Sequence, residues 1–387
     1  MLASSGDFMI RIKTVRSIFL LLLGAFSGAA FSFLSQLYLA RQLGPSAFGV
    51  YAAAVSAVMI VAPIAGFGIQ GFWLNVFGEE GWRAIRWLPS SYKYIALTFF
   101  LAFLIIFSWA IVGPNSRTQS WILVALSLHA VGQMSIEIVD RKFQLEERYT
   151  SVALMQSLPH GVRLCAVLSV PFFFAEVDPI KFSVAYAFVG ASLVLWSAFE
   201  IRLMQSLRFN LKGHGVAFFS EKKVQSTPNV LDLYRRAWPY GSAGILYFIH
   251  FQIASALLVY LSQPTEAGLY NAGMLVMNAV FILPGVLYQK FLLPKQHRWA
   301  QQDRAMFVRV FKLGNKLMFF FGVIFAILLW ISVPYLMPTF FGNQFSGVEV
   351  VLSILIFGVP VRFVATSVGS VLVSGPNMKV KIFCMGI

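Results

Sequence analysis

Long apolar runs recur from one end of the chain to the other, separated by short polar breaks. About 20 residues of helix cross the roughly 30 Å hydrocarbon core of a bilayer. The runs therefore predict membrane helices at about 17–40, 49–71, 93–112, 119–139, 150–174, 182–203, 237–262, 269–293, 313–333 and 347–371, with an eleventh beginning near Val380. The expected fold class is an all-α polytopic membrane protein. The first run follows Arg11, Lys13 and Arg16, and Ser27-Gly28-Ala29-Ala30 resembles a signal-peptidase site. It continues to Ala40, too long for a signal peptide, and is read as the first membrane helix.

The polar breaks alternate in charge. One set holds Arg11, Lys13, Arg16, Arg83, Arg86, Lys93, Arg141, Lys142 and Arg148, then the basic residues of 202–236, 290–316 and 379–381. The other set holds only Arg41, Arg117 and Lys181, and Arg163 and Arg362 fall inside helices. Basic loops stay cytoplasmic, so the N-terminus is expected in the cytoplasm and the protein in the inner (cytoplasmic) membrane.

Composition agrees. Of 387 residues, 58% are hydrophobic and only 12% charged, against about 25% charged in soluble domains. The net charge of +15 would fit nucleic acid, but alternate loops account for it as a topology signal, so a nucleic-acid partner is excluded. Cys165 and Cys384 both lie in apolar segments and imply no disulfide framework.

Two breaks exceed simple connectors. Phe72–Pro89 carries Trp73, Trp82, Arg83, Arg86 and Trp87, a composition suited to an interfacial segment or to an aromatic belt. Residues 205–236 form the longest polar stretch and divide the chain. The expected organisation is a cytoplasmic tail (1–16), a six-helix bundle (17–204), a basic linker (205–236) and a second bundle (237–387). A repeat supports this division. Pro45-Ser46-Ala47-Phe48-Gly49-Val50-Tyr51-Ala52-Ala53 and Pro264-Thr265-Glu266-Ala267-Gly268-Leu269-Tyr270-Asn271-Ala272 both read Pro-x-x-x-Gly-(Val/Leu)-Tyr-x-Ala. Six helices separate the copies, so the bundles would insert in the same orientation, a parallel repeat. A complete second copy would need roughly two more helices, and the sequence is read as C-terminally truncated.

Ionisable groups within membrane helices cost about 2.5–3.5 kcal/mol each on insertion scales and usually face protein or water. The fourth helix spaces His129, Gln133, Glu137 and Arg141 at i, i+4, one face, with Asp140 beside it. The fifth carries Gln156, His160 and Arg163 on one face, next to Pro159. The second bundle offers His250, Asn271, Asn278, Gln289 and Arg362. Together these predict a cationic cavity for a pyrophosphate: Arg163 and Arg362 as fixed forked donors, His129, His160 and His250 as further charge, and Gln133, Gln156 and Asn278 as polar lining. Glu137 is the candidate for coupling to an ion. The competing reading makes Glu137, Asp140 and Arg141 the interfacial end of their helix and His250 an interhelical hydrogen-bonder. No nucleotide-binding loop or metal-spaced His/Cys cluster is present in the sequence, so no cofactor, metal or catalytic residue is expected.

Leu39-Ala40-Arg41-Gln42-Leu43-Gly44-Pro45-Ser46-Ala47-Phe48-Gly49-Val50-Tyr51 resembles the signature between helices one and two of the polysaccharide (O-antigen and exopolysaccharide) flippases of the multidrug/oligosaccharidyl-lipid/polysaccharide (MOP) exporter superfamily. Gly66-Phe67-Gly68, Arg148-Tyr149, Gly268 to Ala272 and Leu293-Pro294 are similar to further family positions. The resemblance implies twelve helices in two bundles, alternating access, and an undecaprenyl-pyrophosphate-linked oligosaccharide as substrate. It also implies membrane lipids as partners, with the pathway's polymerase and glycosyltransferases as further candidates. The alternatives are a cation-coupled drug antiporter of the same superfamily, an inactive scaffold remnant, and a membrane glycan polymerase. Short extracytoplasmic loops oppose the last.

Overall fold

The computed structural model describes residues 3–205, 209–212, 227–285 and 304–371. It is all-helical there: α1 (Ala3–Val61), α2 (Ile69–Glu80), α3 (Leu88–Val112), α4 (Arg117–Leu145), α5 (Tyr149–Phe173), α6 (Pro179–Gln205), α7 (Val230–Leu261), α8 (Pro264–Gly285), α9 (Arg304–Phe341), α10 (Val348–Leu355) and α11 (Gly358–Val371). The helix expected near Val380, the end of the eighth predicted span, Leu293-Pro294, Cys384 and most of the linker lie outside the described residues. Among those described, the stretches Arg16–Val112, Arg117–Leu145, Pro179–Met204, Val230–Leu261 and Val308–Phe341 are long and apolar enough to cross a membrane. α10 and α11 meet that test only as a pair, bent by 48°. The chain is a multi-pass membrane protein.

Helix ends follow local chemistry. Ser116 caps α4, its side chain accepting from the Gln119 N–H at 3.2 Å. Asp178 accepts from the Lys181 N–H at 2.9 Å, and Pro179 opens α6 where a missing N–H costs nothing. The first two predicted spans run on as α1, whose helical dihedrals break at Gly44 (φ 71°) before Pro45.

The second span differs from its expected single helix. After Val61 come a 3₁₀ turn over Ala62–Ile64 and two left-handed glycines, Gly66 and Gly68 (φ 72° each). Broken backbone at membrane depth needs polar partners from neighbouring protein. α3 supplies them: Thr98 Oγ1 accepts from the Gly66 N–H at 3.0 Å, and the Tyr94 hydroxyl donates to the Phe67 carbonyl at 2.8 Å. Beyond the break, Phe72–Pro89 packs inward. Trp73 is fully buried and donates to Ser91 Oγ at 3.1 Å, and Trp87 is buried against Phe72.

By internal contacts the chain divides into two units, Met1–Phe31 with Ala54–Ala256, and Ser32–Ala53 with Leu257–Ile387. In the first unit glycines bring helices together. A Cβ at Gly24 or Gly28 of α1 would meet the Ala153 or Gln156 carbonyl of α5 at 2.5 and 2.0 Å. Gly132 of α4 and Gly190 of α6 face each other, their nearest backbone neighbours being Gly190 and Leu128. Such small-residue crossings suit membranes, where close van der Waals packing replaces the hydrophobic drive between helices. Near the linker, Lys142 is buried in an ion pair with Glu200 (Nζ–Oε2 2.6 Å), joining α4 to α6. The linker residues Phe209 and Leu211 are buried, and Asn210 N–H donates to Glu146 at 3.4 Å.

In the second unit the two Pro-x-x-x-Gly turns lie against each other. A Cβ at Gly49 would fall 1.9 Å from the Pro264 carbonyl oxygen, and one at Gly268 would fall 1.9 Å from the Pro45 carbonyl oxygen. Arg41 NH2 donates to the Thr339 carbonyl at 3.0 Å and Gln344 to the Arg41 carbonyl at 3.1 Å, tying the first turn to the end of α9.

Candidate functional site

The two polar stripes of the first unit meet. Arg163 on α5 is 8% exposed and His129 on α4 is 4% exposed. The Arg163 NH1 faces His129 Nε2 at 3.5 Å, and its NH2 donates to Gln133 Oε1 at 3.1 Å and reaches His160 Nδ1 at 2.9 Å. Its Nε donates to the Pro159 carbonyl at 3.3 Å. Pro159 and the glycine crossings explain the placement. The proline removes a backbone donor from α5, Gly28 lets α1 press the α5 backbone at Gln156, and Gly190 lets α6 approach His129 itself. Tyr186 on α6 then covers both groups, 4.9 Å from the His129 ring and 5.9 Å from the Arg163 guanidinium carbon.

These contacts fix the imidazole tautomers. A guanidinium only donates, so the nitrogens facing Arg163, His129 Nε2 and His160 Nδ1, are acceptors. The rings' remaining N–H groups, His129 Nδ1 and His160 Nε2, point away as donors. His129 Nδ1 is buried without a hydrogen-bond partner. Buried donors in that state are uncommon and call for a ligand or water. The cluster therefore offers a fixed cation and two oriented N–H donors, the equipment for an oxyanion.

The lower half of the α4 stripe is separate. Glu137 and Gln70 take no part in the hydrogen bonds among Arg163, His129, Gln133 and His160. Asp140 accepts from Gln144 at 2.8 Å, and Gln144 accepts from Arg141 at 3.0 Å. Because α4 continues to Leu145, Glu137 sits two turns inside the helix rather than at its end. Gln156 is half-buried one turn before His160. His250 is exposed on α7, its ring 5.3 Å from Phe251. In the second unit Asn278 is exposed on α8, and the Arg362 guanidinium lies 5.7 Å over the Phe281 ring. Of the nominated residues, the structure brings together Arg163, His160, His129 and Gln133. Tyr186 was missed in the sequence because an aromatic in an apolar helix carries no polar signal.

The fold matches three solved transporters. The chain is similar to the inward closed conformation of the lipid II flippase MurJ (TM-score 0.70, 9% identity, covering 94% of this chain and 77% of that one). It is also similar to the eukaryotic MATE transporter AtDTX14 (0.57, 10% identity, 97% and 84%). The third is an inward-facing multidrug resistance MATE family transporter of the MOP superfamily (0.58, 10% identity, 92% and 84%). No curated protein matches the sequence. The family described as "Polysaccharide biosynthesis protein" matches residues 14–288. On that match, which covers more than half of the chain, the chain belongs to the polysaccharide biosynthesis protein family.

Proposed function

We propose that this protein is a flippase that carries a lipid-linked oligosaccharide, on undecaprenyl pyrophosphate, across the cytoplasmic membrane for surface polysaccharide synthesis. The N-terminus lies in the cytoplasm, on the side richest in Lys and Arg. The observation that carries the reading is the buried Arg163–His129–His160–Gln133 cluster. A pyrophosphate presents several acceptor oxygens and no donors. It can take guanidinium N–H groups from Gln133 and the imidazoles, and accept from the outward ring N–H groups. Charge-assisted bonds of this kind are about twice as strong as neutral ones. MurJ, whose fold this chain resembles, is a lipid II flippase. Arg362, His250, Asn278 and Gln156 are proposed to line the path at other stages of alternating access, and Glu137 to couple transport to an ion. A cation-coupled drug antiporter of the same superfamily is the weaker reading, because it would favour an acidic or aromatic cavity, whereas this cluster is built on Arg163 and the chain carries Leu43-Gly44-Pro45 with Phe48-Gly49.

The test uses proteoliposomes holding a fluorescent prenyl-pyrophosphate oligosaccharide. Arg163→Ala should abolish translocation while the protein still inserts and remains monodisperse. Arg163→Lys should recover only part, since an ammonium keeps charge but not the fork. Translocation by Arg163→Ala at the wild-type rate would remove the cluster from the substrate path.

A further inference from the structure

The elbow joining α2 to α3 concentrates charge outside the transport cluster. A 3₁₀ turn over Gly81–Trp87 folds the chain back so that one carboxylate, Glu80, collects four N–H donors from three residues. Its Oε1 accepts from Arg86 NH2 at 3.1 Å and from Arg236 NH1 of α7 at 3.5 Å. Its Oε2 accepts from Arg86 Nε at 3.3 Å and from Trp87 Nε1 at 3.2 Å. The Trp87 ring holds the same two guanidinium groups, 5.8 Å from Arg86 and 5.1 Å from Arg236. One buried indole and one carboxylate thus fix two cations, and the carboxylate neutralises only one of them. Asp232 is engaged by Arg235 at 3.9 Å, while Arg83, Lys93 and Glu79 stand exposed nearby in sequence. Each guanidinium has five N–H donors, of which Glu80 takes two from Arg86 and one from Arg236.

α7 supplies an independent observation. Its first turns bury Leu233 and Ala237 and expose Leu231, Tyr234 and Trp238, spaced three and four apart, beside exposed Arg235 and Arg236. Exposed aromatics and aliphatics on one face with arginines at their border characterise a helix at headgroup depth. The elbow also falls on the side of the membrane richest in basic residues.

We infer that Arg86 and Arg236, steadied by Trp87 and Glu80, form a site for the phosphate of an anionic phospholipid, with the acyl chains lying along Leu231, Tyr234 and Trp238. The forked donors match phosphate geometry. Because the cations are held in advance, little side-chain freedom is lost on binding. The site stands apart from the Arg163 cluster and does not depend on the transport reading.

Native mass spectrometry of the purified full chain, presented with equal phosphatidylglycerol and phosphatidylcholine, tests it. Phosphatidylglycerol should be retained preferentially, and each arginine replaced by glutamine should weaken retention roughly fivefold. Arg235→Gln, already paired with Asp232, should leave the preference in place. If Arg86→Gln/Arg236→Gln aggregates, Arg236→Gln alone decides, because that side chain is 51% exposed. Equal retention of the two lipids, or undiminished phosphatidylglycerol on Arg236→Gln, would overturn the proposal. A second mixture of prenyl pyrophosphate with phosphatidylglycerol completes the test: retention of prenyl pyrophosphate in place of phosphatidylglycerol would also overturn the proposal and give the site to the transported lipid.

Discussion

Replacing Gly190 by alanine asks how tightly the α4–α6 crossing sets the candidate site. The new methyl carbon would sit 2.4 Å from the Leu128 carbonyl oxygen and 2.6 Å from His129 Cα. A carbon–oxygen contact settles at about 3.3–3.6 Å, so the helices must part by about 1 Å. Both opposing atoms are backbone, and no side-chain rotation relieves the clash. Overpacking of this kind costs about 1–3 kcal/mol. The site feels it directly. His129 Nε2 is already 3.5 Å from Arg163, at the outer limit of a hydrogen bond, and Tyr186 travels with α6 one turn from Gly190. The variant should melt earlier in detergent by an amount matching that energy, and it should translocate more slowly. Gly78→Ala is the control. A Cβ there meets nothing within 4 Å, and alanine is the better helix former by about 0.5–1 kcal/mol. If Gly190→Ala melts with or above the wild type, backbone contact is not what spaces these helices, and the account of how His129 is positioned fails.

Glu200→Ala would strand Lys142, 2% exposed, without its partner. A loss of about 3–5 kcal/mol is expected, read as a large fall in melting temperature, with Lys142→Met/Glu200→Leu recovering most of it. Tyr94→Phe removes the donor to the Phe67 carbonyl at the break after α1 and should cost about 1–3 kcal/mol; faster hydrogen exchange at residues 66–69 would mark the loosened segment. Gly268→Ala should destabilise more than Gly273→Ala, whose Cβ would meet only side chains, the nearest at 3.2 Å; equal melting of the two would deny the backbone contact at Pro45.

Much of the site was legible in the sequence because helix geometry is strict. His129 and Gln133 at i, i+4, and His160 and Arg163 at i, i+3, had to share faces. Charges in hydrocarbon must then seek one another, so two stripes on consecutive helices predict a meeting. What the sequence concealed depends on partners distant along the chain. The break at Gly66–Gly68 is tolerated only because Thr98 and Tyr94 arrive from α3. Lys142 reads as one of many loop cations until Glu200, on another helix, is found beside it. The tryptophans of Phe72–Pro89 look interfacial, yet Trp73 is buried because Ser91 offers its indole a partner inside the protein. Hydropathy ranks residues by affinity for oil and does not say whether the oil is lipid or neighbouring helix.

The two Pro-x-x-x-Gly turns carry a consequence for how such a sequence can drift. Each turn's glycine is the vacancy into which the other's carbonyl is set. Neither position is free to acquire a side chain on its own, since the obstacle belongs to the other segment. Change at one position must wait for change at its counterpart more than two hundred residues away, so segments remote in the gene are bound to evolve as a single locus.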